Sequence, residues 1–371
     1  MSRHVLAALV VLAAVGALGG RVAHAYPQFQ LGLDPTCTGC HLSPAGGGLL
    51  NENGLSVAKS LGQFGGAPEA AHGALVGPDW LTVGGDLRFA AGAVEMHGLN
   101  GAAFPMQGEL YANAKMWKGL SAYVTAGAAR GDTNRPLTFL LLREHYVQWQ
   151  ADEGSNLGLF VRAGRFMPVY GLRLAEHDAY TRRYGQTPLY GETYGVAAEY
   201  IDPAWEVHAT GFVHDPLQDP IERGNGGALY AEARTGAMQL GVQGRYAKSP
   251  DEARTAGGAT FKWHATPGLL LAAETSVIHQ TFTAGSSRNQ IASELVASIF
   301  IDESWFVDVG LGQFDEDLRA PKVDLEGLDV NLHWFATPHL ELLFTNRVQT
   351  IDLTKGGRSS GWSLLQIHYR L

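Results

Sequence analysis

A chain of 371 residues that is 46% hydrophobic, only 17% charged and carries 47 glycines suits an all-β fold better than a helical or disordered one. Its formal charge of −9 excludes nucleic acid as a partner, because phosphate backbones are bound by clustered cations. Two cysteines are too few for a disulfide framework, and both lie in one five-residue stretch.

In chain order, Arg3 and His4 precede an apolar run from Val5 to Gly20, and Ala23-His24-Ala25 has the small-residue spacing of a cleavage site. Residues 1–25 therefore read as a signal peptide, with Tyr26 opening the mature protein. Losing Arg3 and Arg21 takes the charge from −9 to −11. The run is short for a membrane helix, and no later stretch reaches about 18 uninterrupted apolar residues.

Residues 26–79 form a small segment around Cys37-Thr38-Gly39-Cys40-His41. This is the Cys-x-x-Cys-His signature of covalent c-type haem attachment. Two thiols at that spacing can bond both vinyl groups of one porphyrin, and the adjacent histidine is carried under the iron as proximal ligand. Zinc is disfavoured, since it takes about four protein ligands and no second cysteine pair exists. A thioredoxin-like dithiol belongs in a βαβ unit, which is absent here. A disulfide stays open, because an exported chain permits one.

The distal side of the iron is not assigned by the motif. No methionine lies between Tyr26 and Asp79, so Met/His ligation needs Met96, Met106 or another later residue. His72 is the other histidine of the segment and the candidate distal ligand. A ligand from the later region, an open sixth position, and a plain exposed His72 are the alternatives. Bis-His ligation favours a lower potential than Met/His, whereas an open position admits peroxidase or oxyanion reductase chemistry. Gly46-Gly47-Gly48 lets backbone approach the porphyrin or forms a flexible turn, and 49–61 reads as a short amphipathic helix. The segment is small for an independent core, so a covalent haem would supply much of its apolar interior.

From Trp80 to Leu371 the period becomes two. Leu365, Ile367 and Tyr369 alternate with Gln366, His368 and Arg370, and a soluble sandwich would alternate as well. The number of such stretches and their connections discriminate. Strands are predicted at 81–96, 105–117, 120–130, 138–150, 156–166, 191–201, 205–214, 226–234, 238–248, 256–265, 269–282, 288–301, 305–314, 323–335, 339–350 and 360–371. Sixteen stretches of bilayer-crossing length, joined by alternately short and long connections, predict an antiparallel transmembrane β-barrel over 80–371. Trp80, Trp117, Trp149, Trp205, Trp263, Trp305 and Trp334 all sit beside connections assigned to the periplasmic end, as an interfacial aromatic belt requires; Trp362 does not. Trp263-His264-Ala265-Thr266-Pro267 and Trp334-Phe335-Ala336-Thr337-Pro338 resemble each other as recurring hairpin turns do.

The long connection 167–190 is dense in Arg and Tyr. It reads either as a constriction folded into the pore, where arginines favour anions, or as a solvated outer loop paired by its own acids. His208 and His214 share strand parity, with no carboxylate partner assignable. No Gly-x-Ser-x-Gly elbow supports hydrolase chemistry.

Two stretches carry a resemblance. Cys37 to Gly54, with Pro44, Gly46-Gly47-Gly48, Leu50 and Asn51, resembles the haem segment of exported bacterial proteins with one CxxCH ahead of a β-barrel. Gly164-Arg165-Phe166-Met167-Pro168-Val169-Tyr170-Gly171-Leu172-Arg173 is similar to a pattern of phosphate-selective-type porins, without that family's lysine-rich anion ladder. The resemblance implies an outer-membrane barrel with one haem c, its haem segment facing the periplasm. It implies electron transfer with periplasmic or multihaem cytochromes as partners and outer-membrane lipid as surroundings. A haem-gated or redox-sensing diffusion porin for small anions is the alternative.

Overall fold

The computed structural model describes residues 36–64, 78–95, 99–129, 138–176, 178–189, 191–215, 224–320, 324–351 and 359–370. The leader 1–25 and His72 lie outside the described residues. Among these, sixteen antiparallel strands close into one barrel, with β1 (Leu81–Glu95) hydrogen-bonded to β16 (Ser359–Arg370). The strands between run in simple up-and-down order. They are β2 (Leu99–Trp117), β3 (Leu120–Ala129), β4 (Thr138–Gln150), β5 (Gly158–Phe166), β6 (Thr193–Ile201), β7 (Trp205–Val213) and β8 (Asn225–Thr235). There follow β9 (Met238–Lys248), β10 (Glu252–Thr266), β11 (Leu269–Phe282), β12 (Ser287–Phe300), β13 (Trp305–Asp315), β14 (Asp324–Thr337) and β15 (Leu340–Ile351). Closure leaves no unpaired edge, which a sheet in lipid must avoid.

The alternation has the sign opposite to that of a soluble sandwich. Leu365 and Ile367 are 47% and 45% exposed, whereas Gln366 and His368 between and beside them are 6% and 3% exposed. The same holds on β14, where Leu328 and Val330 face out while Asp329 and Asn331 are buried. An apolar exterior around a polar interior is stable only where hydrocarbon surrounds the barrel. The seven tryptophans predicted to share one end do so. Trp305 and Trp334 stack there at 5.3 Å, as do Tyr200 and Trp205 at 5.0 Å.

Two strands start several residues ahead of expectation, the first of them for a local reason. β2 begins at Leu99, not near 105, because Pro105 sits at a register shift between Arg88 and Phe89 of β1. A proline without an N–H fits a strand at such a bulge. β10 likewise starts at Glu252, ahead of the predicted 256. The two similar Trp-containing pentapeptides adopt one structure: each ends its strand with a bulge, before Thr266↔Leu269 and before Thr337↔Leu340.

The connection after β5 turns into the lumen, which overturns the solvated-loop reading. Val169, Tyr170, Leu172 and Tyr180 are 1–3% exposed. Gly171 (φ +72) lets the chain pass the Glu274 carboxylate, where a Cβ would lie 2.5 Å away, and Leu172 N–H donates to that carboxylate at 2.9 Å. Tyr180 N–H donates to Glu294 at 2.7 Å. The Tyr180 ring enters a recess made by the cross-strand pair Gly312 and Gly327; a Cβ on Gly327 would lie 2.7 Å from the ring. The polar wall positions this loop through its own backbone, so the loop's charge content did not reveal its course.

Candidate functional site

The Cys-x-x-Cys-His stretch folds as a single tight turn. Cys40 N–H and His41 N–H both donate to Cys37 O, at 3.2 and 2.9 Å, and Thr36 Oγ1 accepts from Gly39 N–H at 3.1 Å. One helical turn brings Cys37 and Cys40 to the same side, with His41 beside them. The chain then reverses through Gly46, Gly47 and Gly48, whose φ values of +80, +74 and +59 form a defined left-handed run. Leu42 N–H bonds Leu49 O at 3.1 Å, and Asn51 N–H bonds Cys40 O at 2.9 Å, closing the reversal. Asn51 also caps helix α1 (Glu52–Ser60), accepting from Gly54 N–H at 2.9 Å, and donates to Thr38 O at 2.7 Å. Gly54 allows α1 to lie directly on the turn, since a Cβ there would overlap the Cys40 carbonyl oxygen.

This segment lies inside the barrel at the short-turn end. Leu49, with Leu42 against it, packs on Tyr111, Tyr123, Tyr146, Phe166 and Ala197. Leu61 joins Leu172, Leu270, Phe300, Phe306 and Phe335. Gln63 and Phe64 N–H groups extend the wall by bonding Phe335 O and Ala336 O at 3.0 and 3.1 Å. Gln148 donates to Leu42 O at 3.3 Å. The barrel therefore supplies much of the apolar interior that the short segment lacks.

The donor set fits a haem iron. Burial lowers His41 to about 4, against the carbonyls of Gly47 and Leu49 that raise it. The imidazole is thus held neutral, the form that ligates metal. His41 Nδ1 is buried and makes no hydrogen bond. Burial raises the Cys37 thiol, with Arg173 and Lys262 opposing and Glu206 and Glu232 assisting. At Gly46 a Cβ would stand 3.2 Å from Cys37 Sγ, so backbone approaches the thiol edge closely. Cys37, Cys40, His41 and the glycine run lie together in one reversal of the chain.

Charged lumen residues, most of which the sequence assigns no role, surround this turn. Arg162 makes a bidentate pair with Glu199 at 2.7 and 2.8 Å, both fully buried. His208 bridges Glu199 and Glu206 at 3.1 and 3.2 Å, so it has the carboxylate partners that could not be assigned; His214 follows β7 and does not share this site. Arg173 of the inserted loop bonds Glu206 at 2.8 Å, and Lys262 bonds Glu232 at 2.9 Å. On the opposite wall a chain of hydrogen bonds runs from Tyr111 to Asp86 (2.6 Å), His368 (2.7 Å), Glu341 (3.0 Å) and His333 (2.7 Å). Inward parity of charged residues was the signal for these networks, but pairing needed the register.

No known protein family and no curated protein matches the sequence. The fold is similar to that of solved outer-membrane barrels. OmpT of Vibrio cholerae is 12% identical with a TM-score of 0.60, covering 80% of this chain and 99% of that one. The anion-selective porin from Comamonas acidovorans is 12% identical with a TM-score of 0.61, covering 78% and 99%. The outer membrane channel DcaP of Acinetobacter baumannii is 12% identical with a TM-score of 0.60, covering 81% and 100%. The likeness is one of fold: the chain is a closed, 16-stranded antiparallel β-barrel with a porin-like fold.

Proposed function

We propose that this barrel carries one covalent c-type haem on Cys37, Cys40 and His41 in the periplasmic half of its lumen and takes part in electron transfer. The observation behind this reading is the complete Cys-x-x-Cys-His turn, held inside a closed barrel by bonds to the lumen wall. Bound haem supplies one-electron ferrous/ferric chemistry. The chain holds the porphyrin by two thioethers, presents a neutral imidazole, and covers the turn with Leu42, Leu49 and the ring cluster. Short turns face the periplasm in barrels of this kind, so the haem would meet periplasmic electron donors or acceptors. One haem cannot bridge a membrane about 40 Å thick with its headgroups. Periplasmic or multihaem cytochromes are therefore the partners, and His72 or a lumen residue the distal ligand.

The test is a haem stain of the denatured chain with an absorbance spectrum of the native one, made in a host that matures c-type cytochromes. Covalent haem with c-type bands is expected. Cys37→Ala together with Cys40→Ala should abolish the stain, and His41→Ala should alter the spectrum with the stain retained. A wild-type chain without c-type bands would refute the reading.

A second reading is favoured by the occupied lumen: a diffusion channel for small anions, gated by its haem segment. Planar-bilayer conductance that changes on reduction would support it.

A further inference from the structure

One arginine of the inserted loop is set beside the cysteine turn. Arg173 follows Leu172, which packs on Leu61 just after α1, and its backbone is left-handed at φ +56. Among the described residues the other non-glycine residue with positive φ is Lys118 (+32), in the two-residue turn between β2 and β3 that requires it. No hairpin imposes that conformation on Arg173. It costs free energy at an arginine, and such strain persists where the side chain it aims has a task. We propose that Arg173 donates to a propionate of the haem, so that the inserted loop of the barrel completes the site begun by the cysteine turn. The inference rests on the haem reading above.

The guanidinium is preorganised, and part of it is unused. Nη2 donates to Glu206 Oε1 at 2.8 Å, and Cζ lies over the Tyr230 ring, 5.3 Å from its centroid. Tyr230 is itself fixed, since its hydroxyl donates to Glu232 at 2.6 Å. An aromatic face orients a guanidinium without neutralising it. Nη1 is buried and makes no hydrogen bond among the described residues. A buried, charged N–H of this kind is costly unless an acceptor meets it. Glu206 is also 3.2 Å from His208 Nε2 at Oε1 and pairs with Arg234 at Oε2. That carboxylate is divided among three partners, so it offsets the Arg173 charge only in part.

The position suits a porphyrin carboxylate. After burial, Arg173 is the strongest influence on the Cys37 thiol, ahead of Glu206 and Lys262. Lys262 is the other cation there, and it is bonded to Glu232 at 2.9 Å. In haem c each pyrrole that carries a thioether neighbours one that carries a propionate. A cation beside Cys37 therefore stands on an edge that ends in a carboxylate. A planar fork of N–H donors binds a carboxylate strongly, and more so away from water. Offsetting a propionate charge near the iron favours the ferrous state, so Arg173 raises the reduction potential.

The experiment uses the full-length, haem-loaded protein in detergent. Resonance Raman spectra read the propionate bending band, whose position follows hydrogen bonding to the carboxylate, and potentiometric titration reads the midpoint potential. Arg173→Gln should retain covalent haem, shift that band and lower the potential. Arg173→Lys keeps the charge and loses the fork; it should shift the band partway, and it carries the test if Arg173→Gln does not assemble. Arg234→Gln, which removes the other arginine from Glu206, should leave the band in place. An unchanged band in the Arg173 variants that assemble would overturn the inference. So would an equal shift in Arg234→Gln, which would assign the effect to the charged wall as a whole. Failure of the haem reading is distinct, because the wild-type chain would then take no haem stain.

Discussion

Arg162→Leu should destabilise the barrel by about 3 kcal/mol, at the lower end of the roughly 3–5 kcal/mol expected for breaking a buried pair from one side. Arg162 and Glu199 are 1% and 0% exposed and bonded through two N–H···O contacts at 2.8 and 2.7 Å. Removing the guanidinium strands a buried carboxylate, and His208 at 3.1 Å from Glu199 compensates in part. The loss also strips Phe166 of a cation 4.4 Å from its ring. By contrast, a double Arg162→Leu, Glu199→Leu protein removes both charges, and such replacements are often neutral. A coupling energy of about 2 kcal/mol or more is therefore expected. Denaturant unfolding of the refolded barrel in detergent, followed by tryptophan emission and by heat-modifiable gel mobility, measures all four proteins. The electrostatic reasoning fails if Arg162→Leu alone costs under about 1 kcal/mol, or if the double variant loses the sum of the singles.

Three further outcomes are expected. Gly54→Ala should push α1 off the Cys40 carbonyl at a cost of about 1–3 kcal/mol, seen as faster proteolysis of 36–64 and reduced haem content, while the exposed Ser56→Ala matches wild type. In a Cys37→Ala, Cys40→Ala protein, docking of the segment should weaken as pH falls from 6.5 toward about 4. The docked His41 resists a proton that the undocked chain accepts below its ordinary 6.5. Stability present above 6.5 is thus lost through this window, by up to about 3 kcal/mol. Limited proteolysis against pH reads it, and an unchanged profile in His41→Phe would show that another group is responsible. Finally, Gly327→Leu should fill the recess that seats Tyr180, releasing the inserted loop. Single-channel conductance should rise above wild type, and an unchanged value would mean that the loop does not restrict the pore.

The haem signature and the barrel were both legible in the linear chain, because each is a local pattern. Cys37, Cys40 and His41 fall within one helical turn, so spacing alone sets their mutual geometry. Strand count and alternation are likewise short-range, and Trp117 or Trp149 beside a turn marks an interface without any tertiary contact. What the linear order left open depends on partners distant in sequence. Leu365 and Gln366 are neighbours of opposite parity, and closure of β1 on β16 decides which of them faces outward. His208 finds Glu199 only because β6 and β7 pair in one register. The loop after β5 runs inward because Glu274, Glu294 and the Gly312–Gly327 recess receive its backbone and Tyr180, groups more than a hundred residues away. Docking of the cysteine turn depends likewise on Tyr123, Tyr146 and Phe335. Local geometry belongs to the sequence; which polar group meets which across a lumen belongs to the closed barrel, since only closure brings those walls face to face.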